Sequence, residues 1–267
     1  MPVRIVQSKQ NERLKQLRRV LAQPGRDAHG LAGIEGPNLV REAILASLRI
    51  DCLFAAQGSE HLLDNLGLPP EATILLLPRD LLSSVLATET PQPVAALVQP
   101  PQWAWSHLLD RHPPAAPLLI ILAGLQDPGN LGAIVRSAEA FGANGILNLP
   151  GTVSAWNPKS VRASAGSVFR LPLLSVSEEE CFSRLRAAGI KILTTALRGA
   201  QPADRVPLHT PAALIIGNEG SGVPEPLAAQ ADAAINIPCP GPVESLNASV
   251  AASILLYEAA RQRKARP

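Results

Sequence analysis

Five side chains of this chain are suited to chemistry: Asn130, Arg136, Glu219, Ser245 and Asn247. They fall in three separated segments, Asp127-Pro-Gly-Asn-Leu-Gly-Ala-Ile-Val-Arg136, Gly217-Asn-Glu-Gly-Ser-Gly222 and Glu244-Ser-Leu-Asn247. Each segment puts small or amide-bearing residues where an apolar strand ends and a turn or helix begins. Open α/β proteins bind ligands at that edge. Arg136 offers a planar, permanently charged donor fork that fits a phosphodiester; it also reads as an ordinary surface arginine of a helix. Asn130 reads as the cap of that helix. The second segment has neither Gly-Lys-Ser/Thr nor GxGxxG, so it is not a phosphate-cradling loop. Its glycines let a ligand approach the backbone closely. The Glu219 carboxylate would oppose a phosphate; it suits a cationic ligand or an ion pair with Arg136. Ser245 reads as a helix N-cap. Asn247 and Ser249 in the first turn have low helix propensity and present amide and hydroxyl groups at a helix N-terminus, a natural site for an anion or a ribose hydroxyl.

These segments need strands to position them. Leu118–Ala123 is a continuous apolar run, as in a strand buried on both faces. A helix over Leu131–Phe141 and a strand at Gly145–Leu149 follow. Ser177 with Glu180 predicts a capping box opening a helix to about Ala188, which Gly189 stops. Ile190–Thr195, Ala213–Ile216 and Ala234–Ile237 read as strands, and Ser245–Arg263 as a long final helix. The first half alternates in the same way. Asn11–Ala22 is a helix with Leu14, Leu17 and Leu21 on one face, stopped by Pro24-Gly25. A strand near Leu31–Glu35 and a helix from Pro37 to Leu48 come next, Pro37 suiting a first helical turn. Then come strand Ile50–Ala56, helix Glu60–Leu66, strand Ala72–Leu77, helix Arg79–Ala87 and strand Val94–Val98. Strands alternating with helices indicate α/β architecture. Gln99–Pro117 breaks the alternation with Pro100, Pro101, Pro113, Pro114 and Pro117 around Trp103 and Trp105, and reads as a semi-rigid spacer. The expected division is residues 1–99, a spacer at 100–117, and residues 118–267.

The 267 residues are 46% hydrophobic but only 3% aromatic, so the core must be built from Leu, Ile, Val and Ala. A net charge of +2 is compatible with a polyanionic partner without singling one out. The positive charge is concentrated: Arg4, Lys9, Arg13, Lys15, Arg18 and Arg19 crowd the N-terminus, and Arg261, Arg263, Lys264 and Arg266 close the chain. Either cluster reads as solvated helix surface or as phosphate contact. Cys52, Cys181 and Cys239 are far apart, and the histidines are scattered, so no zinc site or triad is expected. Buried reduced thiols in a cytoplasmic protein are the expectation. The start lacks a secretory apolar region, and no apolar run reaches the ~18–20 residues of a membrane helix.

On these residues the chain resembles the SpoU/TrmH branch of the SPOUT methyltransferases, which methylate the ribose 2′-hydroxyl of RNA with S-adenosylmethionine. Asn130-Leu-Gly-Ala-Ile-Val-Arg136 looks like the family's first motif and Ile215-Ile-Gly-Asn-Glu-Gly220 like its second. Ile235-Asn-Ile-Pro238 with Ser245-Leu-Asn-Ala-Ser249 looks like its third. Asn157-Pro-Lys-Ser-Val-Arg-Ala-Ser-Ala-Gly166 and Phe169-Arg-Leu-Pro172 are also typical of the family. The N-terminal half is similar to its ribosomal-protein-like RNA-binding domain, with Ser8-Lys-Gln-Asn11 and Glu35-Gly36 fitting that pattern.

The resemblance implies an α/β fold: a trefoil-knotted, mostly parallel C-terminal domain after a small α/β RNA-binding domain. It implies a homodimer built with the final helix. It also implies S-adenosylmethionine held by Gly217, Ile237 and Leu246, with Thr195 and Ala196 close by. Asn130, Arg136, Glu219, Ser245 and Asn247 would surround the reacting ribose. Lys9, Arg13, Lys15, Arg18 and Arg162 would contact RNA. No metal is implied. Arg136 has been offered as the base in this family; a guanidinium releases its proton only above pH ~12, so a charge-stabilising role fits better. Ribosomal RNA is the expected substrate because the family's minimal transfer-RNA members often lack the separate N-terminal domain. Transfer RNA, or a catalytically silent role in ribosome assembly, are the alternatives.

Overall fold

The alternating apolar runs fold into two sheets, one in each of two contact-defined units. A computed structural model describes residues 3–22, 30–64, 66–69, 72–86, 88–110, 116–196, 199–242 and 245–264. The expected stop at Pro24-Gly25 lies outside the described residues. So do Asn65 and Ala87 of two expected helices, Pro113 and Pro114 of the spacer, Glu244 of the third segment, and Arg266.

The first unit holds β1 (Val3–Ile5), α1 (Glu12–Ala22), β2 (Ala32–Glu35), α2 (Pro37–Leu45), β3 (Arg49–Ala56), β4 (Ile74–Leu77), α3 (Arg79–Ser83) and β5 (Val94–Gln99). Its sheet runs β1-β4-β3-β5-β2. The strands β1, β4 and β3 are parallel, and β5 is antiparallel to both β3 and β2. Asn11 caps α1, accepting bonds from the N–H groups of Arg13 and Leu14. Leu14, Leu17 and Leu21 of that helix pack with Phe54, Leu77 and Leu97 in one core. Pro37 occupies the first turn of α2, as expected. Glu35 is buried and accepts bonds from the Thr88 hydroxyl and the Gln92 N–H, so its carboxylate serves the fold. Among the described residues of 60–66 only a short 3-10 turn forms, Glu60–Leu62.

The second unit begins with α4 (Trp105–Leu109), β6 (Leu118–Leu122), α5 (Pro128–Ala140) and β7 (Gly145–Asn148). The next helix, α6 (Pro158–Ala163), belongs elsewhere. The second unit resumes with β8 (Leu173–Ser175), α7 (Glu178–Ala187), β9 (Lys191–Thr195), β10 (Gln201–Pro202), β11 (Ala212–Ile216), α8 (Glu225–Ala228), β12 (Ala233–Asn236) and α9 (Ala248–Lys264). Its sheet is parallel throughout, in the order β10-β12-β9-β11-β6-β7-β8. The chain leaves β6 for β7 on one side and leaves β11 for β12 on the other. β6 and β11 are neighbours, so the loops after them diverge at a topological switch point, where open sheets form a crevice.

Contacts redistribute two stretches of the chain. Residues 154–170 group with the first unit, although β6 and β7 precede them. There α6 packs on β2, Trp156 stacks on Phe169 at 5.8 Å, and Arg170 pairs with Glu42 of α2 at 2.7 Å. Gly166 sits at φ +90°, and a Cβ there would come within 2.7 Å of Glu42 Cβ. Conversely, the proline-rich stretch is built partly into the second unit. Leu108 of α4 is fully buried in that core beside Phe182 and Leu185, and Trp105 Nε1 donates to Glu180 Oε1 at 2.8 Å. Proline density signals a spacer but cannot reveal an apolar helical turn within it.

Some local expectations are corrected. Ser177 accepts from the Glu180 N–H, but the Glu180 carboxylate turns to Trp105, so only half of the capping box forms. The final helix starts at Ala248, not Ser245. The strands β1, β8 and β10 are too short to show periodicity. Burial pushes the Cys52 and Cys181 thiols up to about 12, so both stay protonated. Cys239 is exposed, not buried. Arg263 is a structural residue: its guanidinium donates to the carbonyls of Ala116, Pro117, Leu208 and Thr210, fastening the end of α9. Arg261 pairs with Glu258. Phe169 is 2% exposed, so Phe169→Ala should cost about 3–5 kcal/mol by the usual price of a buried aromatic truncation. Urea unfolding of the full chain measures this.

Candidate active site

The three chemistry-bearing segments meet at the C-terminal edge of the second sheet. Asp127, not Asn130, caps α5: its carboxylate accepts from the N–H groups of Gly129 and Asn130. The Asp-Pro pair was the available signal, since Pro128 takes the first helical turn and the residue before it is the cap. Asn130 is therefore the third residue of the helix, with its side chain released. Its Nδ2 donates to Glu219 Oε1 at 2.9 Å, and its Oδ1 accepts from Asn247 Nδ2 at 3.1 Å.

Asn247 is the cap of α9, displacing the expected Ser245. Its Oδ1 accepts from the Ser249 N–H at 2.9 Å, the Val250 N–H at 3.3 Å and the Ser249 hydroxyl at 2.7 Å. Spending that oxygen on the helix leaves its NH2 to face Asn130. Ser245 is exposed and joins no hydrogen bond among the described residues.

Glu219 closes the network. Besides Asn130 it receives the Gln126 N–H at 3.3 Å and the Asp127 N–H at 3.2 Å. Burial tends to raise its pKa. Bonds from the Asn130 amide and from backbone N–H groups outweigh burial and hold the carboxyl below its ordinary 4.5. No ion pair joins Glu219 to Arg136 among the described residues. Arg136 is exposed on α5 and has no hydrogen bond or ion pair there, so its fork is available to a ligand.

The loops that carry these groups are braced by residues absent from the expected site. Asn218 Nδ2 donates to the Gly124 carbonyl at 2.9 Å, while its Oδ1 accepts from the N–H groups of Gly220 and Ser221. Gln126 Nε2 donates to the carbonyls of Gly124 and Gly151. Such side-chain-to-backbone braces have no sequence signature beyond Asn and Gln in a turn. The Asn218 and Gly222 backbones exchange two bonds of 2.9 Å, which closes the loop over Gly217. A Cβ on Gly217 would lie 2.1 Å from Gly222 C, so only glycine fits.

Four of the five expected cofactor residues lie at the ends of three strands at this edge. Thr195 ends β9 and bonds through its hydroxyl to the Ile215 carbonyl at 3.0 Å. Ala196 N–H bonds to the Ile235 carbonyl at 3.0 Å. Gly217 and Ile237 follow β11 and β12, and Leu246 precedes α9. The backbone groups of Gly217 and Leu246 and the Ile237 N–H make no hydrogen bond among the described residues. Free backbone donors and acceptors beside half-buried Ile237 and Leu246 suit a flat heteroaromatic ring with polar edges.

The expected RNA contacts lie in the first unit. Lys9, Arg18 and Arg162 are exposed. Lys15 pairs with Glu12 at 2.9 Å and Arg13 with Asp51 at 2.7 Å, so those two charges are partly spent within the fold.

Because Glu219 has a depressed pKa in the folded state, its contribution to stability is present above the ordinary carboxyl value and is lost as pH falls through the folded one. Glu219→Gln should lower Tm near neutral pH. The gap to the parent should close in acid, and Tm measured for both proteins across pH checks this.

Two family models match. The SpoU rRNA Methylase family covers residues 117–257, and the MRM3-like substrate binding domain covers residues 11–96. The chain is 31% identical over 252 residues to the 23S rRNA (guanosine(2553)-2′-O)-methyltransferase RlmP of Bacillus subtilis, covering 94% of this chain and 97% of that one. Among solved structures, it superposes on an AdoMet-bound rRNA methyltransferase from Sinorhizobium meliloti with TM-score 0.84 and 30% identity, over 97% of this chain and 98% of that one. It superposes on the SpoU methyltransferase AviRb from Streptomyces viridochromogenes, in complex with AdoMet, with TM-score 0.82 and 28% identity, over 96% of this chain and 99% of that one.

Proposed function

From the premise that this chain belongs to the SpoU rRNA methylase family, we propose how its residues divide the work and that ribosomal RNA is the substrate. The chain is an S-adenosylmethionine-dependent RNA 2′-O-methyltransferase. One observation carries the assignment of roles: Asn130, Glu219 and Asn247, from three separated segments, form one hydrogen-bonded network, while Arg136 of the same helix as Asn130 has no partner among the described residues.

Free backbone groups at Gly217, Ile237 and Leu246 would hold the adenine end of the cofactor, with Thr195 and Ala196 close by. When bound, S-adenosylmethionine supplies an electrophilic methyl group. Arg136 would grip the phosphate next to the target ribose and favour the negative charge that develops on the 2′-oxygen as its proton passes to water. Asn130, Asn247 and Ser245 orient the ribose by neutral hydrogen bonds, and alignment of this kind is worth up to ~7–11 kcal/mol. Glu219 acts through Asn130 rather than on substrate.

Ribosomal RNA is favoured because the relative RlmP matches across nearly its whole length, both units included. A substrate-binding domain also precedes the methylase domain. Lys9, Arg18 and Arg162 would contact RNA phosphates, with Arg13 and Lys15 adding charge. The site of action would be the cytoplasm, where ribosomes are assembled; among the described residues no helix is long and apolar enough to cross a membrane. The knotted chain path remains part of this proposal.

So does a homodimer. Val250, Ile254 and Tyr257 of α9 are 46%, 38% and 57% exposed and share one helical face. Phe141 meets Tyr257 edge-on beside them. Large apolar side chains grouped in this way mark an interaction surface.

Arg136→Ala should abolish methyl transfer to RNA while leaving S-adenosylmethionine affinity within about twofold. Turnover near the parent rate would remove Arg136 from the mechanism. Mapping 2′-O-methylation in ribosomal and transfer RNA, with and without this protein, identifies the substrate. Ile254→Glu combined with Tyr257→Ser should halve the mass seen by light scattering; a parent protein that is already monomeric would rule the dimer out.

A further inference from the structure

The first unit contains a second polar concavity, a cleft of about 420 Å3 lined by Arg13, Gln16, Leu31, Arg49, Asp51 and Gln99. It lies where β2 and β3 begin and β5 ends, at the opposite end of the sheet from Gly36. We propose that this cleft binds a phosphodiester of the RNA substrate, with Arg49 as the principal contact. The proposal rests on the RNA-methyltransferase reading and adds to it an anchoring subsite built from residues of the first unit.

A β-bulge builds the cleft. Across the β3–β5 pair Ile50 faces Val98 and Cys52 faces Leu97, which leaves Asp51 as the extra residue. Bulges re-aim side chains, and this one brings the Asp51 carboxylate to Arg13, with Nη1 2.7 Å from Oδ2. The same Nη1 donates to Gln16 Oε1 at 3.0 Å. The carboxylate is thus neutralised inside the cleft and does not engage Arg49.

Arg49 stands opposite Gln99 in the ladder, so the two side chains share a face. Both are exposed, and neither has a side-chain hydrogen bond or ion pair among the described residues. The lining therefore carries two guanidinium groups against one carboxylate, with a free planar fork and a free amide adjacent. That donor-rich, net-positive set suits a phosphodiester. Among the described residues no aromatic side chain lines the cleft to stack an unpaired base. The sequence pointed to Arg13 as one RNA contact beside Lys9, Lys15, Arg18 and Arg162; among the described residues Arg13 has an internal partner and Arg49 has none.

The test uses the full chain, as parent, Arg49→Ala and Arg49→Lys, with an in vitro transcript of large-subunit ribosomal RNA. Binding is followed across a potassium chloride series, and methyl transfer with labelled S-adenosylmethionine. Arg49→Ala should raise KM for RNA several-fold at unchanged kcat and unchanged Tm. Its log–log salt slope should be shallower by about 0.7–0.9, the loss of one phosphate contact. Arg49→Lys should recover the slope while recovering only part of the affinity, because it keeps the charge and loses the fork. Unchanged KM and slope in Arg49→Ala overturn the proposal. A parent that binds the transcript without methylating RNA defeats the enzymatic reading, yet the salt slopes still decide on the cleft. A parent that binds no RNA defeats both.

Discussion

The carboxamide of Asn130 is the joint on which the candidate site depends. Its NH2 is taken by Glu219 and its oxygen by Asn247. Turning the amide over would set oxygen against carboxylate at one end and NH2 against NH2 at the other. The polarity is imposed from outside: Asn247 must give its oxygen to the first turn of α9, so only its NH2 can reach Asn130. Glu219 must collect the backbone N–H groups that enter α5, so only an acceptor is offered there. Two helix N-termini and one loop after β11 thereby fix the direction of every dipole between them. Such preorganisation is what a site stabilising developing charge requires, because nothing has to reorient during reaction.

Much of this was legible in the sequence where punctuation and apolar runs do the specifying. The strand ends before Gly124, Gly217 and Pro238 stand out because an apolar run stops at a turn residue. The three segments were legible for the same reason. Which polar residue caps each helix was not: Asn130 and Ser245 are acceptable caps by type, and Asp127 and Asn247 take the positions because each directly precedes the first helical residue and its side chain reaches the N–H groups of that turn. The Glu219–Arg136 pair suggested by charge alone did not form, since Glu219 is satisfied by neutral donors. Asn218 and Gln126 could not be singled out, because their partners are carbonyls made available only by tertiary structure.

The arginines sort by what surrounds them. Arg263 is enclosed by carbonyl oxygens, and burial lowers its pKa from the free value. Arg170 and Arg261 are matched by Glu42 and Glu258. In each case the fold supplies the acceptor, so the charge is already used. Among the described residues Arg136 of α5 is left without one, as is Arg49 at the cleft of the first unit. A modest overall charge of +2 thus conceals a few uncompensated guanidinium groups, which matter more to a polyanion than the total does.

The excursion of residues 154–170 into the first unit has a consequence for ancestry. The polypeptide passes between the units after Gln102, after Val153 and after Arg170. A substrate-binding module joined by a single linker could be exchanged by one gene fusion. This one could not: part of its own interior, including Trp156, Val161, Val168 and Phe169, is encoded within the catalytic half. Recombination at the proline-rich boundary would deliver a new module against a segment shaped for the old one. The two halves of the gene are therefore constrained to diverge together, and chimaeras between relatives should tolerate a crossover only when residues 154–170 travel with the N-terminal sequence.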